Sequence, residues 1–166
     1  MTLKMSCRVL CEGYEAERRV WNGMIDRKPR WIARPSSIDD VMQAVRFARE
    51  SGLPICVRSG GHSVSGMSVA DGALMVDLSL MKSVQVDPIH QTVIAQACVK
   101  WGEFDAEAEK YRLAATSGVI SSTGIGGLTL GGSIDWLMGK AAWARHGRRP
   151  AQFWRICSSR QFRKTR

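Results

Sequence analysis

The chain has 166 residues, 45% of them hydrophobic and 23% charged, a balance that suits a globular domain and excludes a mostly disordered chain. Its net charge of +9 is concentrated in residues 141–166, which hold Arg145, Arg148, Arg149, Arg155, Arg160, Arg163, Lys164 and Arg166 and no acidic residue. The preceding stretch is nearly balanced, so no basic face is expected on the body and any polyanion contact rests on the tail alone.

The first element in chain order is a helix from Tyr14 to Met24, with Val20, Trp21 and Met24 on one stripe and Lys28-Pro29-Arg30 ending it. Trp31–Arg34 reads as a short strand. Ser36 and Ser37 precede Asp39 and Asp40, a hydroxyl cap followed by first-turn carboxylates, which predicts a helix starting near Ile38. Its expected apolar face is Ile38, Val41, Met42, Val45 and Ala48, and Gly52 and Pro54 are placed to stop it.

Pro54–Val57 is short and β-prone, and Ala73–Leu78 is a continuous apolar run of the kind found in strands buried on both faces. Strand, helix and strand in this order predict a small parallel sheet. Val84–Val86 and Thr92–Ala97, separated by Asp87-Pro88, predict a hairpin, and Trp101, Phe104, Ala108 and Tyr111 line one side of a following helix. Beyond Lys140 no apolar period is evident and no element is predicted.

Five cysteines, Cys7, Cys11, Cys56, Cys98 and Cys157, lack zinc-type spacing, so free thiols in a reducing compartment and no metal site are expected. The sequence shows no apolar stretch suited to a secretory signal or a membrane span, and the cytoplasm is the expected location.

Two glycine clusters carry the chemistry. Arg58-Ser59-Gly60-Gly61-His62-Ser63 follows the 54–57 strand, and Ser121-Ser122-Thr123-Gly124-Ile125-Gly126-Gly127-Leu128-Thr129-Leu130-Gly131-Gly132 lies downstream. Glycines let backbone amides approach phosphate oxygens with no Cβ in the way, and successive amides in a turn form an anion-binding nest. Alone, such clusters are often just tight turns, and a lone loop histidine such as His62 is more often an ordinary solvated side chain. Asp77 reads as structural, Trp101 as core, and Asp105, Glu107 and Glu109 as a solvated face. No carboxylate pair or Ser/His/Asp arrangement is visible, so no catalytic residue is assigned.

Four segments in order, Arg58–Ser63, Asp71–Leu78, Trp101-Gly102 and Gly124–Gly132, carry a resemblance. From about Tyr14 to Lys140 the chain resembles the start of flavin oxidoreductases of the berberine bridge enzyme type. These belong to the vanillyl-alcohol oxidase group and share the FAD-binding fold of p-cresol methylhydroxylase. The resemblance implies that the amides of Arg58–Ser63 hold the FAD pyrophosphate, that His62 is bonded through its ring to the flavin 8α-methyl, and that Ser121–Gly132 wraps the other side of the dinucleotide. It further implies hydride transfer from an alcohol, sugar or alkaloid-like substrate to flavin N5, with oxygen as acceptor.

Two departures accompany the match. Ser133 and Asp135 stand where further glycines are expected, and a carboxylate there would repel phosphate. No cysteine stands in the position of the second flavin bond that some members form.

The expected fold is α+β: a small parallel βαβ-type subdomain through about Leu80, then the start of a mostly antiparallel sheet. Residues 1–29 form an N-terminal helical segment, 30–140 a partial FAD-binding domain, and 141–166 a basic unmatched tail, read as the product of a lost reading frame after Lys140. The chain then corresponds to the front of a flavoenzyme, inactive alone, without the substrate domain and catalytic base, and with hairpin edges left unpaired. The alternative is a non-catalytic flavin- or partner-binding module. FAD is the one small-molecule partner expected. Trp143, Phe153 and Trp154 among the tail arginines allow nonspecific stacking on RNA or DNA, but no specific nucleic acid, no membrane and no oligomeric state is indicated.

Overall fold

The computed structural model describes residues 12–116 and 118–132, together with the strand backbones Met5–Arg8, Phe153–Arg155 and Cys157–Ser158. Two units partition the chain, Met1–Met81 and Lys82–Arg166.

The first unit is built on a four-stranded sheet. Its strands are β1 (Met5–Arg8), β2 (Trp31–Ala33), β3 (Ile55–Arg58) and β4 (Leu74–Asp77), in spatial order β1-β2-β4-β3. β4 runs parallel to both β2 and β3, while β1 joins antiparallel at the far edge. The central place of β4 explains its apolar run Leu74-Met75-Val76. Met75 packs with Tyr14, Ile32, Cys56, Val69 and Ala73 on one face, and Leu74 and Val76 pack with Ala33, Ala44 and Ala48 on the other. Burial raises the Cys56 thiol above its ordinary pKa, so it acts as a small apolar side chain. Cys56 is a free thiol.

Between β2 and β3 runs α2 (Ile38–Glu50), capped as the sequence predicts: the Ser37 hydroxyl accepts from the Asp40 amide, and Asp40 Oδ2 accepts from the Ser37 amide. Gly52, at φ +62°, ends it with Leu53 N–H donating to Ala48 O and Gly52 N–H to Arg49 O. The predicted apolar face needs correction. α2 meets the sheet through Ala44 and Ala48 with Phe47 beside them, whereas Ile38, Met42 and Val45 are exposed. Two alanines one turn apart bring the helix axis close to the sheet, so small residues outrank the larger stripe.

The first helix also differs from expectation. α1 spans only Tyr14–Glu17, and Trp21 and Met24 are exposed rather than packed. The chain leaves the helix because its amides find other acceptors: Trp21 N–H donates to Gly61 O (3.0 Å), and Met24 N–H to the Asn22 side chain (3.1 Å).

In the second unit β5 (Val84–Asp87) and β6 (Thr92–Ala95) form the predicted antiparallel hairpin, with Asp87 Oδ1 accepting the amides of Ile89 and His90 in the turn. α3 (Trp101–Glu109) buries Trp101, Phe104 and Ala108 against Val93, Val99, Leu113, Ala115 and Ile125. Tyr111 lies past its end and half exposed, because Arg112 turns the chain at φ +57°. β7 (Leu113–Ala114) and α4 (Ile125–Gly131) follow.

The tail contributes two strands that the sequence did not suggest. β8 (Phe153–Arg155) pairs antiparallel with β6, and β9 (Cys157–Ser158) pairs with β7. One edge of the hairpin is therefore paired, contrary to expectation. Segments of three and two residues are too short to display a period of two. The fold is α+β as expected, a parallel subdomain followed by antiparallel strands.

Candidate functional site

Arg58–Ser63 belongs to the first unit and Ser121–Gly132 to the second. The first loop leaves the carboxyl end of β3 and begins the connection to β4. Ligands of α/β sheets bind off this end, where the chain turns away and leaves amides unpaired.

Arg58 anchors the loop. Its guanidinium donates to Asp77 through Nη2 (2.8 Å) and Nε (3.2 Å), and its Nη1 donates to the carbonyls of Glu17 and Arg19 (2.8 Å to the latter). Asp77 is only 1% exposed and also accepts from the Ser79 amide (3.1 Å) and hydroxyl (3.0 Å). Arg34 stands on the other side, donating to Glu17 Oε1 (3.0 Å) and Ser79 Oγ (3.3 Å). The structural role expected for Asp77 is thus observed. Arg58, taken from the sequence as a cofactor-binding residue, turns its charge inward; what it offers the loop is a fixed starting point.

Past Arg58 the loop is half-buried, and Gly61 adopts φ +67°, a conformation that glycine alone adopts without strain. The amides of Gly60, Gly61, His62 and Ser63 have no hydrogen-bond acceptor among the described residues. Half-buried, successive, unpaired N–H groups are uncommon and make a concavity for an anion. A dinucleotide pyrophosphate fits that requirement.

A strap from residues 17 to 22 lies along this loop. Besides the two carbonyls that hold Arg58 and the Trp21–Gly61 bond, the Asn22 side-chain amide donates to Val64 O at 2.9 Å. The Trp21 indole stacks on the His62 imidazole with centroids 4.5 Å apart and planes 17° from parallel. Sequence periodicity placed Trp21 on a helix stripe and so hid this contact. Ser68 is a second residue that the sequence did not single out: it is buried, and its hydroxyl lacks a partner among the described residues.

The second cluster is constructed differently. Gly124 caps α4 in an extended conformation and bridges Lys100, while Ile125 N–H donates to Val99 O (2.9 Å) and Gly126 N–H to Ala97 O (3.3 Å). Ser121 O and Thr123 O accept the first amides of α3, from Gly102 and Trp101. Leu128 packs on the Trp101 core. Ser121, Ser122, Gly127, Gly131 and Gly132 are exposed, and Thr129 is buried with its hydroxyl unpartnered among the described residues. Ser133 and Asp135 lie outside the described residues.

A parallel sheet with a run of unpaired amides off its carboxyl edge is the arrangement in which α/β proteins receive an anionic ligand. A family model described as an FAD binding domain matches residues 29–146. (R)-6-hydroxynicotine oxidase of Paenarthrobacter nicotinovorans is 38% identical over 128 residues, 77% of this chain and 28% of that protein. The structure of 6-hydroxy-D-nicotine oxidase from Arthrobacter nicotinovorans superimposes with a TM-score of 0.83 at 34% identity, covering 86% of this chain and 32% of that one. The wild-type BBE-like 1 protein of Physcomitrella patens superimposes with a TM-score of 0.78 at 25% identity, covering 82% of this chain and 30% of that one. The chain therefore belongs to the FAD-binding domain family of flavin-dependent oxidoreductases related to berberine bridge enzyme, and FAD is its cofactor. It spans between about a quarter and a third of the length of these relatives. Among the described residues no helix is long and apolar enough to cross a membrane.

Proposed function

We propose that Arg58–Ser63 holds the FAD pyrophosphate, that His62 carries the flavin covalently, and that Ser121–Gly132 contacts the dinucleotide from the second unit. The observation that carries this reading is the run of unpaired amides from Gly60 to Ser63 in a half-buried loop. With FAD bound, a ring nitrogen of His62 would be joined to the 8α carbon in place of one methyl hydrogen, a two-electron oxidation whose two protons and electron pair would pass to dioxygen as hydrogen peroxide. Bound flavin would supply a hydride acceptor. Oxidation of an alcohol, sugar or alkaloid-like substrate, with oxygen as acceptor, is the reaction such a cofactor would serve, and no catalytic base is assigned among the described residues. We read the chain alone as inactive toward substrate.

The test is purification with FAD followed by acid precipitation. A yellow, flavin-fluorescent pellet is expected from the native chain, and a colourless one with free flavin in the supernatant from His62→Ala. A pellet from His62→Ala as yellow as the native one would rule out this attachment point. Amide exchange with FAD present should slow in both 60–63 and 121–132; protection of the first segment alone would remove the second from the site.

A further inference from the structure

Resting on that reading, we infer that Trp21 is a positioning residue for His62. The indole is 65% exposed, so it adds little to the core, yet its plane lies on the imidazole at 4.5 Å and 17°. Its backbone is fixed against the same loop by Trp21 N–H to Gly61 O and by Asn22 to Val64 O, on either side of His62 in sequence. The strap's upstream end is fixed by Arg58 through the carbonyls of Glu17 and Arg19. An imidazole on its own rotates broadly about its terminal torsion. The nitrogen lone pair that forms the bond to the 8α carbon lies in the ring plane, so whatever fixes that plane fixes the direction of attack. The stacked indole does this. The surroundings of His62 that matter for attachment are thus partly supplied by a residue 41 positions earlier.

The experiment compares the native chain with Trp21→Ala, Trp21→Phe and His62→Gln. Two readouts are needed: the ring-proton resonances of His62, identified by their loss in His62→Gln, and the rate at which added FAD becomes acid-stable. Trp21→Ala is expected to lose the upfield displacement caused by the indole and to slow attachment by about ten- to a hundredfold, the cost of a misdirected reacting group. Trp21→Phe, still able to stack, is expected to recover most of the rate. Noncovalent FAD affinity, measured with and without Trp21→Ala in the His62→Gln chain, should not change. Attachment by Trp21→Ala at the native rate, failure of Trp21→Phe to rescue, or an equal loss of noncovalent affinity each overturns the inference while leaving His62 as attachment point. A native chain with no acid-stable flavin overturns the attachment reading itself, and this inference with it.

Discussion

Asp77→Asn tests the physical basis of the loop. The carboxylate accepts from Arg58 twice and from Ser79 twice, while being 1% exposed. Asparagine keeps one acceptor oxygen and sets an NH2 group among donors, leaving the Arg58 charge, itself largely buried, without its counter-charge. Breaking one partner of a buried pair costs about 3–5 kcal/mol. The four bonds share one group and do not add, and the neighbouring Arg34 keeps Glu17 at 3.0 Å, so the lower end is expected. A loss of about 3 kcal/mol corresponds to roughly a hundredfold in the folded to unfolded ratio. Urea unfolding followed by circular dichroism measures it, and amide exchange at Met75 and Val76 localises it to β4. Replacing both partners, Arg58→Met with Asp77→Leu, should be less damaging than Asp77→Leu alone, because no charge is then stranded. A loss below about 1 kcal/mol for Asp77→Asn, the size of an exposed ion pair, would refute the reasoning.

Gly127→Ala separates local structure from function: a Cβ there meets nothing within 4 Å, and alanine should stabilise α4 by about 0.5–1 kcal/mol in thermal unfolding, while FAD affinity falls if the dinucleotide lies over it. Gly118→Ala should do the opposite, since its Cβ would stand 2.5 Å from Leu128 Cδ2 and 2.9 Å from Trp101 Cδ1; about 1–3 kcal/mol of overpacking is expected as a lowered melting temperature. Asp40 is held below its ordinary pKa of 3.8, first by the Ser36 amide and then by the Ser36 hydroxyl and Ser37. Its contribution is therefore present above that value and lost as pH falls through the lower, folded one, so Asp40→Asn should flatten the acid limb of a pH–stability curve.

Much of the fold was legible because its signals are local. Ser37 with Asp40 starts α2, Gly52 stops it, the apolar run at Leu74–Asp77 needs two covered faces, and Asp87 turns a hairpin. What stayed hidden depends on partners distant in sequence. Nothing in the spacing of Val20, Trp21 and Met24 reveals that the Trp21 amide has a better acceptor in Gly61, forty residues on. The alanine face of α2 was concealed because hydrophobicity ranks Ile38, Met42 and Val45 above Ala44, whereas the sheet selects for close approach. β8 and β9 form against β6 and β7, which lie in a different part of the sequence.

The two glycine clusters look alike in sequence, but their backbone groups are committed differently. In Arg58–Ser63 the side chain of the first residue is tied inward and the amides of Gly60–Ser63 have no acceptor among the described residues, so an anion can be bound by the main chain there at no cost in broken bonds. In Ser121–Gly132 the amides of Ile125 and Gly126 already serve Val99 and Ala97. On the proposed reading, contact there would come instead from the exposed hydroxyls of Ser121 and Ser122 or from close approach over Gly127. Affinity for the charged part of FAD should therefore reside mainly in the first loop. The second should govern how closely the remainder of the dinucleotide can lie, which is why Gly127, with open space where a Cβ would go, discriminates between the two roles.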